Sequence, residues 1–248
     1  MTYKAEAPSK RTDQVGHKPK RFWTTVEIAA APGGYGVNLD GRPVKTPLGQ
    51  VLVLPNFALA ALVGREWEAV EDYVEFTSMP LTRLGFAAMD HMETGLDAAL
   101  AEAARFSETD LVCYPADYPQ ALIEREAAAW QPVVAWSKVE LGLEFVQQKT
   151  LIHQPQPAAT IEGVQSLISN ADVYTRAGLL VAIPLLGSVV LALALWKGRL
   201  TGEAAFEASR VGEAFQMETW GDDAEAVQRA ANQKTQAQSL EAWFKALV

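Results

Sequence analysis

With 248 residues, about half apolar and a fifth charged, the chain has the length and composition of a folded protein with one large domain or two small ones. Its formal charge of −9 is uneven: residues 1–21 hold six Lys/Arg against Glu6 and Asp13, which leaves the remaining body at −13. Such a body repels phosphate backbones and argues against nucleic acid as a partner, while the single Cys113 excludes an internal disulfide and a multi-cysteine metal site.

Residues 1–20 read as a flexible tail. They contain no apolar run suited to secretion, and Glu6, Asp13 and the Pro and Gly residues spoil an amphipathic targeting helix. From Arg21, RFWTTVEIAA is rich in strand-forming residues and closes at Pro32-Gly33-Gly34. Asp40-Gly41 then stands between two short extended runs, the strongest hairpin signal in the chain. GQVLVLP supplies a third strand, and Asn56 is placed to cap a helix over FALAALVGREWEAV, residues 57–70.

After MPLTRL the sequence turns to alanine-rich segments with helical spacing, such as LDAALAEAARF and YPQALIEREAAAW. Pro132 either kinks one helix or starts another. HQPQPAAT, residues 153–160, reads as a linker or loop. The fold class expected is α+β: a small antiparallel β-rich N-terminal domain over residues 21–92, followed by an all-helical C-terminal domain over 93–248.

The stretch AGLLVAIPLLGSVVLALALW, residues 177–196, has twenty positions without a charge, long enough for a membrane span. Pro184 followed by Gly187-Ser188 favours two shorter helices, about 172–183 and 185–197, closed by Lys197-Gly198. FEASRVGEAF and AEAVQRAANQ carry apolar stripes that need such a surface to rest on, so a buried core is favoured over membrane insertion.

Sites for chemistry are sparse. His17, His91 and His153 lack metal-ligand spacing, no phosphate-binding loop or nucleophile elbow is present, and APGGYG leads into a hairpin. Asp90-His91 with a serine would make a hydrolase or a small-molecule-binding protein of unknown substrate only if a pocket brought them together. Cys113 sits among apolar residues with no cationic neighbour, as a structural thiol does. Of the seven tryptophans, Trp67, Trp130, Trp136 and Trp220 fall at helical spacing and read mostly as core; one exposed among acids would be a protein-binding anchor. The most unusual polar cluster is VGEAFQMETWGDDAEA, residues 211–226. Glu213 and Gln216 share a helix face, Gly221 reads as the C-cap, and Asp222-Asp223 read as the start of the next helix.

LDGRPVKTP, REWEAVEDYVEFTSMPLTRL, ETDLVCYPADYPQAL with WQPVVAW, and GSVVLALALWKGRL leading to FQMETWGDDAEA, taken together, resemble the assembly chaperones of the F-type ATP synthase that hold its unassembled α subunit. The resemblance covers residues 21–226 in order. It implies a soluble two-domain protein with no catalysis and no cofactor, which binds free α subunit and shields its β-facing surface until assembly. It places the apolar stretch as a helix inside the helical domain. The partner-binding residues it implies, together with the cluster above, are Glu213, Gln216, Glu218 and Trp220; the structural motif positions are Asp40, Gly41, Trp67, Pro80, Gly187 and Gly221. Trp67 belongs to an Glu-Trp pair and is expected to be mostly buried. Only Glu213 is acidic in the triplet Gly212-Glu213-Ala214, where related proteins often carry two or three acids. The resemblance fits a bacterial cytoplasm or, alternatively, a mitochondrial matrix.

Overall fold

The computed structural model describes residues 19–92, 94–148, 154–221 and 224–248. The expectations placed on tail residues 1–18, His17 among them, and on His153 and Asp222-Asp223 lie outside the described residues.

Strands β1 (Val26–Ala31), β2 (Gly34–Leu39), β3 (Arg42–Pro43) and β4 (Val53–Leu54) form an antiparallel sheet in which β2 pairs with all three others. Pro32 and Gly33 make the first two-residue turn, with Gly33 at φ +88°. The second is Asp40-Gly41, both left-handed at φ 48° and 75°, the primed geometry that suits the twist of a hairpin. The Asp40 carboxylate accepts from the backbone N–H and hydroxyl of both Thr24 and Thr25 at 2.8–3.1 Å. Those bonds, led by the Thr25 N–H, hold its carboxyl down at about 2. The run GQVLVLP pairs with β2 only at Val53 and Leu54.

Helix α1 (Phe57–Glu68) starts where Asn56 accepts from the Leu59 N–H at 2.9 Å; it buries Leu59, Val63 and Trp67 and brings Gly64 against Val26 and Ile28 of β1. Helix α2 (Pro80–His91) has proline at its first position and no cap from Met79. Its cap comes from α1 instead: Glu66 accepts from the Leu81 N–H at 2.8 Å and from the Thr82 N–H and hydroxyl at 2.7 Å. Trp67, next in sequence, is 6 % exposed and meets Trp23 and Phe76 edge-on. The Glu-Trp pair therefore joins the two N-terminal helices, one residue by hydrogen bonds and the other by packing.

The remaining regular elements among the described residues are mainly helices: α3 (Leu96–Glu108), α4 (Gln120–Leu141), α5 (Ala158–Asn170), α6 (Val173–Leu186), α7 (Val189–Trp196), α8 (Gly202–Ser209), α9 (Val211–Trp220) and α10 (Ala224–Leu247). A small antiparallel sheet followed by helices is the α+β class expected. The apolar stretch forms most of α6 and all of α7, whose residues Val189–Leu195 are all buried. Helices α2, α3, α4, α8 and α10 surround the pair. Among the described residues no helix is long and apolar enough to cross a membrane.

The division of that stretch differs from the expectation. Pro184 lies inside α6, and the chain breaks three residues later, at left-handed Gly187 (φ 62°) and at Ser188, whose hydroxyl oxygen accepts from the Leu191 N–H. Pro184 removes one helical bond, the one its missing N–H would make to the Leu180 carbonyl, and α6 continues for two residues past it. The true break is fixed from a distance: Asp110, fully buried after α3, accepts from the Val189 N–H at 2.7 Å and the Val190 N–H at 3.1 Å. That carboxylate sits at the N-terminus of α7, where negative charge is favoured, yet burial pushes its carboxyl up to about 6.

Two further expectations are corrected. HQPQPAAT is not a plain linker, because Gln156 is buried and its side-chain amide pairs with both the N–H and the carbonyl of Val146. AEAVQRAANQ does not lay a stripe on the core, since the buried residues of α10 begin at Ala237 and Val227 is exposed. Pro132 sits within a single α4 of 22 residues. Cys113 is fully buried, and burial followed by the neighbouring Asp110 charge pushes its thiol far up, as a structural thiol requires.

Candidate partner-binding surface

None of the ten residues of α9 is buried. The helix is held against α4 from one side. Arg125 of α4 lies 5.2 Å from the Phe215 ring centroid and pairs with Glu218 at 2.8 Å. One element upstream, the indole N–H of buried Trp130 donates to the Ala208 carbonyl at 2.7 Å, which fixes the end of α8. Glu126, buried beside this contact, accepts from the Ala116 N–H at 2.6 Å, and burial raises its carboxyl above the usual range.

The four sequence-predicted binding residues are thus brought together on one helix, and all four are exposed. Glu213, Gln216 and Trp220, at i, i+3 and i+7, line one face; Glu218 turns towards α4 and Arg125. Glu213 is not idle, for it pairs with Arg210 at 2.5 Å, with its side chain 52 % exposed. Trp220 is 79 % exposed at the end of the helix, whereas Trp67 and Trp130 are buried. Gly221 closes α9 at φ 90°, its N–H donating to the Met217 carbonyl. The other structural motif positions, Asp40, Gly41, Trp67, Pro80 and Gly187, are spread over turns, caps and the core, and each is accounted for by the fold.

A family model described as ATP12 chaperone protein matches residues 20–138. The crystal structure of Atp12 from Paracoccus denitrificans superposes with a TM-score of 0.86 at 33 % identity, over 93 % of this chain and 99 % of that one. The chain belongs to the ATP12 chaperone family. A solved structure of a mutant of the Paracoccus denitrificans protein gives the same TM-score and identity. The mitochondrial atp12 protein of Schizosaccharomyces pombe is 24 % identical over 214 residues, 82 % of this chain and 74 % of that one. The family model ends before α9, so the placement of that helix within the family rests on the structural likeness.

One exposed residue of this family member escaped the reading of its sequence. Tyr118, just before α4, is 81 % exposed. Arg125 lies beside Glu218 near the end of α9, Glu126 faces Gly212 near its start, and Trp130 holds Ala208 just before it, so the chain from α8 through α9 runs opposite to α4 and the start of α4 and the end of α9 point the same way. Tyr118 and Trp220 therefore stand at one end of the helix pair. The signal available was an aromatic residue set between Asp117 and Pro119 without apolar neighbours.

Asp90, His91 and Ser239 do line a common cleft, of about 400 Å³, between α2, α6 and α10. They do not form a triad there. Asp90 accepts from the Thr46 hydroxyl at 2.6 Å and the Leu48 N–H at 3.1 Å, and the Ser239 hydroxyl donates to the Thr235 carbonyl at 2.9 Å. His91 follows Asp90 on the same helix, and consecutive helical residues do not face one another. Among the described residues no cluster of His, Cys, Asp and Glu could hold a metal ion.

Proposed function

We propose that this ATP12 family chaperone serves assembly of the F-type ATP synthase by binding the unassembled α subunit and shielding its β-facing surface. The observation that carries the reading to a particular surface is Trp220, a large aromatic left 79 % exposed on a helix that buries no residue of its own. Tryptophan and tyrosine are the side chains that anchor protein interfaces, and a second ring, Tyr118, stands at the same end.

Glu213 would meet a cation of the α subunit. Its bond to Arg210 is an exposed ion pair, worth about 0–1 kcal/mol, so an incoming cation can compete for the carboxylate. Release requires no catalytic group: a β subunit that takes the same surface of the α subunit displaces the chaperone by mass action. The compartment proposed is a bacterial cytoplasm, with the mitochondrial matrix as the alternative.

The test is co-purification of the intact chain with unassembled α subunit, followed by addition of β subunit. Capture that β subunit reverses is expected. Trp220→Ala should weaken capture by at least about tenfold, as loss of an aromatic hot spot does, and Glu213→Lys should weaken it while the chaperone stays folded. Wild-type capture by both variants would remove α9 from the proposal, and a chain that ignores α subunit altogether would end it.

A further inference from the structure

The cleft between α2, α6 and α10 has no part in the partner-binding reading. Its volume of about 400 Å³ lies within the range of small-ligand sites, and its walls come from both halves of the chain. Phe76, Leu84 and Phe86 form one side, Val181 and Leu240 the other. A half-open cleft of this size suits a small molecule, whereas the exposed face of α9 suits a protein surface.

The segment that supplies the first wall contains MPLTRL, and the fold uses most of it. Pro80 starts α2, Thr82 receives Glu66, and Leu81 and Leu84 are buried. Arg83 is the residue it does not use: exposed at the cleft, with no hydrogen bond or ion pair among the described residues. The side chains of His91 and Gln236 line the same cleft and likewise have no such partner there. Asp90, the only acid in the lining, is already engaged through both oxygens by Thr46 and Leu48. An apolar wall with an uncommitted guanidinium and two further N–H donors is the complement of a molecule with an apolar body and a carboxylate head.

We propose that this cleft binds a free, small amphipathic carboxylate, its chain or ring on Phe76, Leu84, Val181 and Leu240 and its head on Arg83. Binding is non-covalent and involves no reaction. It is independent of α9, so client capture stays unchanged in variants of the cleft.

The test is isothermal titration of the intact protein with sodium octanoate below its micellar range, beside 1-octanol and octylammonium. Octanoate should bind one to one, and at least about tenfold more tightly than the other two, because only it makes the charge-assisted bond. Arg83→Gln should cost octanoate about tenfold in affinity and leave octanol unchanged, with Arg83→Lys retaining most of the binding. Ser239→Phe, which fills the cleft, should abolish it. Arg83 is exposed, so its variants keep the fold, and a thermal melt checks this. Equal binding of the three probes, octanoate binding untouched by Arg83→Gln, binding that survives Ser239→Phe in a folded protein, or no saturable heat would each overturn the proposal.

Discussion

Asp110 makes the centre of this protein sensitive to pH in a direction opposite to ordinary acid denaturation. Its carboxyl ionises at about 6 in the fold against 3.8 ordinarily, chiefly because it is fully buried. A raised carboxyl binds its proton more tightly in the folded state, so the stability tied to protonation is present at low pH. It is lost as pH rises through the window from 3.8 to about 6. Over the whole window the loss comes to about 3 kcal/mol, and between pH 5 and pH 7 to about 1 kcal/mol. Glu66 and Glu126, both also raised by burial, act in the same direction. Urea unfolding of the wild type should therefore show a higher midpoint at pH 5 than at pH 7. Asp110→Asn removes the titration. Its amide oxygen can still accept from the Val189 and Val190 N–H groups, but its NH2 then meets the Val112 N–H that the second carboxylate oxygen accepts at 3.2 Å. One or two unpaired buried donors cost about 1–2 kcal/mol at pH 5. At pH 7 the absent ionisation penalty offsets part of that cost, so the two proteins should converge as pH rises. A wild type no more stable at pH 5, or a variant with the same pH dependence as the wild type, would refute the reasoning.

Two substitutions test the N-terminal packing. Trp67→Ala removes a ring that is 6 % exposed between Trp23 and Phe76, and should cost about 3–5 kcal/mol in urea unfolding; a loss below about 1 kcal/mol would mean that the site collapses around the gap. Gly34→Ala would set its Cβ 2.1 Å from the Leu54 carbonyl oxygen, a backbone atom that cannot swing aside. A loss of about 1–3 kcal/mol is expected, and an unchanged melting temperature would contradict the close pairing of β2 with β4.

Features set by neighbouring residues were legible in the sequence. Asp40-Gly41 closes a hairpin because both positions need left-handed backbone, and Asn56 caps α1 through a bond three residues away. Features set by distant residues were not. Pro184 looked like the break in the apolar stretch because proline is the stronger local signal, yet the N–H groups that start α7 are held by Asp110, 79 residues upstream. The cap of α2 was equally hidden, since Glu66 stands 15 residues before the Leu81 N–H it accepts from. At the candidate surface the shared helix face of Glu213 and Gln216 was legible from their spacing. The difference between Trp130 and Trp220 was not, because periodicity gives both an apolar setting and only packing decides which one has a neighbour to cover it.

That packing also explains how α9 can present its residues at all. A ten-residue helix with none of them buried would be marginal alone in water, so its order must come from its neighbours. Trp130 fixes the chain just before it through the Ala208 carbonyl, and Arg125 grips its middle through Phe215 and Glu218. Arg125→Ala deletes the second hold and leaves the core formed by α6 and α7 untouched. Global stability should then fall by no more than about 1 kcal/mol, the scale of an exposed ion pair with a cation–π contact. Amide hydrogen exchange over residues 211–220 should accelerate severalfold while that of α7 stays constant, because local opening becomes easier without global unfolding. Client capture should weaken in parallel, since the ordering of α9 would then have to be met from the binding energy. Unchanged protection in α9 would mean that Arg125 does not hold the helix, and Trp220 would owe its position to the end of α8 alone.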